Sequence, residues 1–222
     1  MNEESDISNR FKAVASSSTF ARIRRTLKLS EASVLDVGCG YGEYLALFGS
    51  SSMGITTTEA EVGEAKKRGL NVVRGNAEFL EEIQLPRKFD TVWANNFFEH
   101  ILAPHAFLIG LKKKVTPNAL LILGVPVVPY PAALMGISKW RGALASNHIN
   151  FFTKKTLKLT VEYAGWKVES IRSFVLPEKL DALTSSFAPH LYVLARNNAQ
   201  FSYPDKKRRE WEGDPHYAHL FK

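Results

Sequence analysis

The chain has 222 residues, 45% of them apolar and 23% charged. That is long enough for one large domain with a single core and ordinary for a globular protein. Its single cysteine excludes a disulfide framework and any zinc-ligand spacing. No apolar run reaches membrane-spanning length, and MNEESDISNRF lacks the basic start and apolar run of a secretory signal, so the expected location is cytoplasmic. The excess of 29 Lys and Arg over 22 Asp and Glu raises nucleic-acid binding. The clusters argue against it. Lys112-Lys113-Lys114 closes an expected helix, where cations complement the dipole, and Lys206–Arg209 is followed by Glu210, Glu212 and Asp214.

In chain order, residues 1–32 form an N-terminal helical segment ahead of a domain over 33–196. Strands are expected at Ser33–Val37, Ser52–Ile55, Asn71–Val73, Phe89–Ala94, Ala119–Val125, Trp166–Val175 and His190–Ala195. Helices are expected between them at Glu43–Phe48, Glu59–Arg68 and Pro104–Lys114. Pro104 suits a first helical turn, and Phe107, Leu108, Leu111 and Val115 follow a helical period. Thr153 reads as an N-cap ahead of Leu157, Val161 and Ala164, with Gly165 as the stop. Strand–helix alternation and the all-apolar run Ala119–Leu123 point to an α/β fold with a mostly parallel sheet buried on both faces.

Two segments stand outside the alternation. Residues 126–147 carry several prolines followed by Met135, Ile137 and Trp140, a loop or a lid beyond the carboxyl end of a strand. Residues 197–222 are charged yet hold Phe201, Tyr203, Trp211, Tyr217 and Phe221, more aromatics than a disordered tail carries. Such a tail could dock on its own domain or on a second copy in a homodimer.

The most telling stretch is Val34–Leu45, VLDVGCGYGEYL. An apolar strand bearing Asp36 breaks into Gly38-Cys39-Gly40-Tyr41-Gly42, where missing side chains permit a tight turn and close backbone approach to a ligand. The spacing is GxGxG with an acid before it, whereas a dinucleotide loop reads GxGxxG and receives an anionic pyrophosphate. With Met53–Thr56, Val72–Glu78, Phe89–Asn95, the Glu99-His100 pair and Thr116–Ala119 in a Pro-Gly-Gly turn's place, this resembles class I S-adenosylmethionine (SAM)-dependent methyltransferases over roughly residues 33–197. The resemblance implies a Rossmann-like, doubly wound seven-stranded sheet with its last strand antiparallel, and SAM as cofactor.

It further implies that Gly38, Cys39, Gly40 and Gly42 line the methionine and ribose region, and that Asp36 and Asn95 meet the amino group. Asn76 and Ala77 would meet adenine. The acid the family places after its second strand to grip the ribose is here Thr56. Glu61 is favoured to compensate, with Glu59 or weaker ribose binding as the alternatives. Cys39 reads as a small loop residue without a redox role.

Methyl transfer from an activated sulfonium needs orientation, and a hydroxyl acceptor also needs a base. His148, opening His148-Ile149-Asn150-Phe151-Phe152-Thr153, resembles a segment of methyltransferases acting on sugars and quinone precursors and is the preferred base. His100 is the second candidate; either could instead brace a helix. His105, His190, His216 and His219 have no motif support. Ubiquinone-pathway O-methyltransferases use acids and a histidine here for a metal, but the first acid is Asn96, so no metal is expected. The expected function is O-methylation of a small-molecule acceptor, sugar-linked or anionic. The alternatives are transfer to carbon, nitrogen or a lipid, or a catalytically silent SAM-fold binding protein.

Overall fold

The computed structural model describes residues 3–129 and 147–211. Helices α1 (Glu3–Ser16) and α2 (Ser18–Thr26) precede strand β1 (Val34–Val37). Then come β2 (Met53–Thr56), α3 (Glu59–Lys67), β3 (Val72–Arg74), β4 (Phe89–Asn95), α4 (Pro104–Lys114) and β5 (Val115–Pro126). The chain continues with α5 (Lys154–Tyr163), β6 (Trp166–Arg172), α6 (Glu178–Thr184), β7 (His190–Asn197) and α7 (Asp205–Trp211). The strands form one seven-stranded sheet in the order β3-β2-β1-β4-β5-β7-β6, parallel except for β7, which runs antiparallel to both β5 and β6.

Side-chain alternation along the strands builds two cores. Leu121, Leu123 and Val125 of β5 face Phe107, Leu108 and Leu111 of α4 and Leu157 and Val161 of α5. Leu120 and Ile122 share the opposite core with Phe20 and Ile23 of α2, Val62 and Ala65 of α3, and Trp93. This is the two-sided covering that the continuous apolar runs require. Local chemistry fixes the helix ends. Ser17 accepts a hydrogen bond from the Phe20 N–H, Thr58 from the Glu61 N–H, and Thr153 with Thr156 forms a capping box.

Three expectations need correction. The helix expected at Glu43–Phe48 is a run of turns with a short 3-10 segment at Leu45–Leu47, because the loop's backbone is tied to its neighbours: the Gly38 and Cys39 N–H groups both donate to Ile55 O. Strand β6 ends at Arg172, before Phe174 takes a left-handed φ of 54°. The segment Thr116–Ala119 belongs to β5 as an irregular stretch: Phe89 pairs with Val115 and Thr91 already with Leu120, so the residues between bulge away from β4.

Most of the segment 126–147 lies outside the described residues, as do Tyr217, Phe221, His216 and His219. The described part of 197–222 packs back on the domain. Tyr203 OH lies 2.6 Å from His105 Nε2, and Lys112 Nζ donates to the carbonyls of Gly165 and Asn198 while lying over the Phe201 ring. Lys114 donates to Ile83 O and Lys113 pairs with Glu81, so all three lysines act as tethers between elements. Among the described residues no helix is long and apolar enough to cross a membrane.

Candidate functional site

Chain order reverses where β1 lies beside β4, and in open α/β sheets such a point opens a crevice beyond the strands' carboxyl ends. The segments after β1 and β4 carry the glycine loop and Asn95–His100. Gly38, Gly40 and Gly42 take φ values of 72°, 55° and 92°, conformations that L side chains rarely adopt. A Cβ on Gly38 would lie 2.7 Å from the Phe97 ring, and one on Gly42 would lie 2.5 Å from Leu70. Gly54 of β2 leaves room for Cys39. The thiol of Cys39 is buried, and burial together with the nearby Asp36, Glu61 and Glu43 charges pushes its ionisation far up. That makes it inert, as a small loop residue should be.

Asp36, at the third position of β1, is 2% exposed. Burial first, and then the charge of Glu43, raises its carboxyl well above the ordinary range, while a backbone hydrogen bond from Leu45 lowers it in part. Its Oδ2 has no hydrogen-bond partner among the described residues. A buried acid left short of partners is costly unless a cation comes to it. Asn95 is similar: Nδ2 donates to Tyr44 OH at 3.1 Å while Oδ1 is buried without a partner among the described residues. Gly124 of β5 makes room for it, since a Cβ there would overlap Asn95 Oδ1. Tyr44, held between Phe20 and Trp93, has its phenol pushed up to about 12 by burial and by Asp36 and Glu43.

At the end of β2, the Thr56 hydroxyl donates a short hydrogen bond to Glu61 Oε2, bringing that carboxylate back to the strand end. Glu59 instead faces Arg74 at 3.6 Å and is exposed. Asn76 caps the turn at Ala77–Glu82: its Oδ1 accepts from the Glu78 N–H at 3.0 Å, which occupies one of the two acceptor positions of that oxygen. Ala77 is buried.

The second half of the crevice holds a carboxylate and two imidazoles. Glu99 is 1% exposed, its Oε1 lies 3.7 Å from His100 Nε2 and 3.9 Å from His148 Nε2, and the two rings meet edge to face at 4.8 Å. What brings residue 148 to residue 99 is backbone: the Ile149 and Asn150 N–H groups both donate to Glu99 O, and Asn150 Nδ2 donates to Ile101 O. Burial raises the Glu99 carboxyl, and its own N–H and the two histidines partly counter this. The three donor atoms lie within 4.8 Å of one another, a set chemically able to bind a divalent ion.

Asn96 itself has a left-handed φ of 51° and turns its Oδ1 toward His190 Nε2 at 3.0 Å. This pair had no sequence signal, because residues 96 and 190 meet only through the pairing of β5 with β4 and β7. Burial lowers His190 to about 4, so at neutral pH it is uncharged. With Nε2–H donating to Asn96, Nδ1 is an acceptor. The other contact that sequence alone did not suggest is at the glycine loop, where Arg10 Nε of α1 lies 2.5 Å from Glu43 Oε1.

A methyltransferase-domain family matches residues 8–171. The chain belongs to this family, whose methyl donor is S-adenosylmethionine. Among curated proteins, this methyltransferase-domain chain is similar to the mitochondrial ubiquinone biosynthesis O-methyltransferase of Schizosaccharomyces pombe, with 35% identity over 99 residues (40% of this chain, 36% of that protein). It is also similar to the protein of the same name from Arabidopsis thaliana, with 26% identity over 156 residues (64% of this chain, 48% of that protein). It thus spans between about a third and a half of these relatives' lengths. Its fold is shared with a SAM-dependent methyltransferase from Archaeoglobus fulgidus at TM-score 0.59 and 20% identity, covering 88% of this chain and 100% of that one. A SAM-dependent methyltransferase from Mesorhizobium loti aligns at TM-score 0.59 and 13% identity, over 83% of this chain and 100% of that one. The residues present fit the donor of this family: three glycines hold the loop after β1 in left-handed turns, and beside it a buried acid keeps an oxygen without a partner among the described residues, which suits a cationic group.

Proposed function

We propose that this protein transfers a methyl group from SAM to a hydroxyl oxygen of a small-molecule acceptor. The observation that carries the reading is the buried, partner-poor Asp36 beside the left-handed glycine loop at the sheet's switch point. Bound there, the donor supplies a methyl carbon activated by a sulfonium whose leaving group is a neutral thioether. Asp36 and Asn95 hold the cationic amino group. The glycine backbone lets the ligand approach, Glu61 braced by Thr56 receives the ribose hydroxyls, and Asn76 with Ala77 faces the adenine. The chain's remaining task is to orient the acceptor in line and to take its proton.

His148 is the proton acceptor in this reading. Its ring is nearly buried, and Glu99 lies where it can stabilise the imidazolium formed when the acceptor oxygen bonds to carbon. His100 flanks the same carboxylate. We read the cluster as proton-holding, because the acid that the ubiquinone-pathway pattern carries at position 96 is an amide here and is turned to His190. The names of the two curated relatives support a phenolic, quinone-precursor type of acceptor; a sugar hydroxyl is the other member of the class.

The test is calorimetric titration with SAM and with its demethylated product, followed by transfer of labelled methyl to a panel of phenols and sugars. Absence of SAM binding would end the proposal. With a turned-over acceptor in hand, His148→Ala should keep SAM affinity and melting temperature while lowering turnover by roughly a hundredfold. A stable variant with full activity would remove His148 from the chemistry, and loss of stability with little specific loss of rate would make it a brace.

A further inference from the structure

Asp36, Asn95 and His190 belong to one face of the sheet. Asp36 pairs with Trp93 across β1 and β4, and Asn95 pairs with Gly124 across β4 and β5. On the far side of β5, Gly124 pairs with Tyr192 and Pro126 with His190. Paired residues share a face, and every second residue along a strand returns to it. Gly124 clears this face: a Cβ there would overlap Asn95 Oδ1 on one side and lie 2.7 Å from the Tyr192 ring on the other. A donor held by Asp36 and Asn95 over β1 and β4 leaves the ends of β5 and β7 for the acceptor. Strand β7 lies two strand spacings, roughly 10 Å, beyond β4.

His190 is fixed and uncharged at that end. Its ring packs on Tyr192 at 4.8 Å, and Tyr192 stacks on Trp93 and meets Phe174 edge to face. The Val127 N–H donates to Pro189 O, which ties the start of β7 to the end of β5. The ring's hydrogen-bond partner among the described residues is Asn96 Oδ1, 3.0 Å from Nε2, and an amide oxygen only accepts. The proton is therefore on Nε2 and the lone pair on Nδ1. Burial lowers the titration of this imidazole to about 4, so at neutral pH no second proton takes that lone pair. A neutral nitrogen acceptor at this edge calls for an O–H or N–H on whatever binds beside it.

We propose that His190 is a specificity residue for the acceptor: Nδ1 receives a hydrogen bond from an O–H or N–H group that the acceptor carries beside the hydroxyl taking the methyl, and Asn96 positions the ring. His148 then takes the proton of the reacting oxygen, while His190 sets which molecules present that oxygen in line. This rests on the oxygen-acceptor reading given above.

Matched probes isolate the contact. Catechol and 2-aminophenol carry a second donor beside a hydroxyl, and phenol does not. With the demethylated donor bound, catechol should shift the His190 Nδ1 resonance in nitrogen-15 spectra and phenol should not. His190→Phe keeps an aromatic ring against Tyr192. It should raise KM for catechol and 2-aminophenol about tenfold, the scale of one hydrogen bond, with kcat within about threefold and KM for phenol within about twofold. His190→Asn, whose amide oxygen is again an acceptor, should recover part of the loss. Equal KM increases for all three probes, with a lower melting temperature, would overturn the proposal and leave His190 as a brace for Asn96. Unchanged KM in His190→Phe overturns it too, as does a fall in kcat at constant KM, which would make His190 a base. A parent that binds SAM but methylates none of the probes, with no shift at His190, defeats the proposal together with the oxygen-acceptor reading. A parent that does not bind SAM defeats the cofactor assignment, and titration with SAM tells these two results apart.

Discussion

Single residues here work through what burial does to charge. Asp36 is an acid whose raised pKa disfavours ionisation in the folded protein, with burial as the larger cause and Glu43 as the second. The folded state therefore holds its proton to higher pH than the unfolded chain does. Stability falls as pH rises from the ordinary carboxylate range near about 4 toward the raised folded value. Asp36→Asn removes that cost, so the variant should melt higher than the parent at neutral pH yet bind SAM at least tenfold more weakly. Scanning calorimetry and a SAM titration on the same preparations check both halves. A variant with lower melting temperature and intact affinity would show that Asp36 is structural. The ribose acid is separable in the same way. Thr56 holds Glu61 at the strand end while Glu59 points to Arg74, so Glu61→Ala should weaken SAM binding more than Glu59→Ala. Equal affinities for both variants and the parent would remove carboxylate help at the ribose.

Elements decide which of these residues can meet. The glycine loop stays a loop because its N–H groups are spent on Ile55 O and its three glycines are left-handed, so the helix that the sequence suggested over Glu43–Phe48 does not develop. That failure has a use: it leaves Glu43 and Tyr44 turned inward, one against Arg10 and the other against Asn95. Gly40→Val should therefore cost more than a side chain's worth of space. It forces a β-branched residue into a φ of 55°, with its Cβ 3.3 Å from Glu43 Oε2. SAM affinity should drop at least tenfold while the fold persists, and a folded variant with parental affinity would mean that the loop does not face the cofactor. Across the crevice, the 148–150 segment is an element only by virtue of its hydrogen bonds to the carbonyls of Glu99 and Ile101. The Glu-His and HINFF motifs marked both partners, and their meeting was set by those bonds.

At the scale of the whole molecule, the sheet order places the end of β1 beside the end of β4 and the start of β7 beside the end of β5, so residues 36–44, 95–100 and 190 share one edge. The sequence alone determined the fold class, five of the strands to within two residues at both ends, and the glycine loop with its acid, because those features are written in local periodicity and in the chemistry of neighbours along the chain. It also marked Glu61, since a missing acid at Thr56 leaves a visible gap in the pattern. Tertiary structure alone decided that Glu61 rather than Glu59 reaches Thr56, and that Glu99 joins His100 and His148 in one cluster. It alone paired Asn96 with His190 and set Arg10 over Gly40. Apart from the short Thr56–Glu61 link and the adjacent Glu99–His100 pair, those contacts join residues 30 to 94 positions apart, and no periodicity spans such distances. They arise when buried strands fix their register, because one slipped residue would turn every apolar side chain of a strand out of its core.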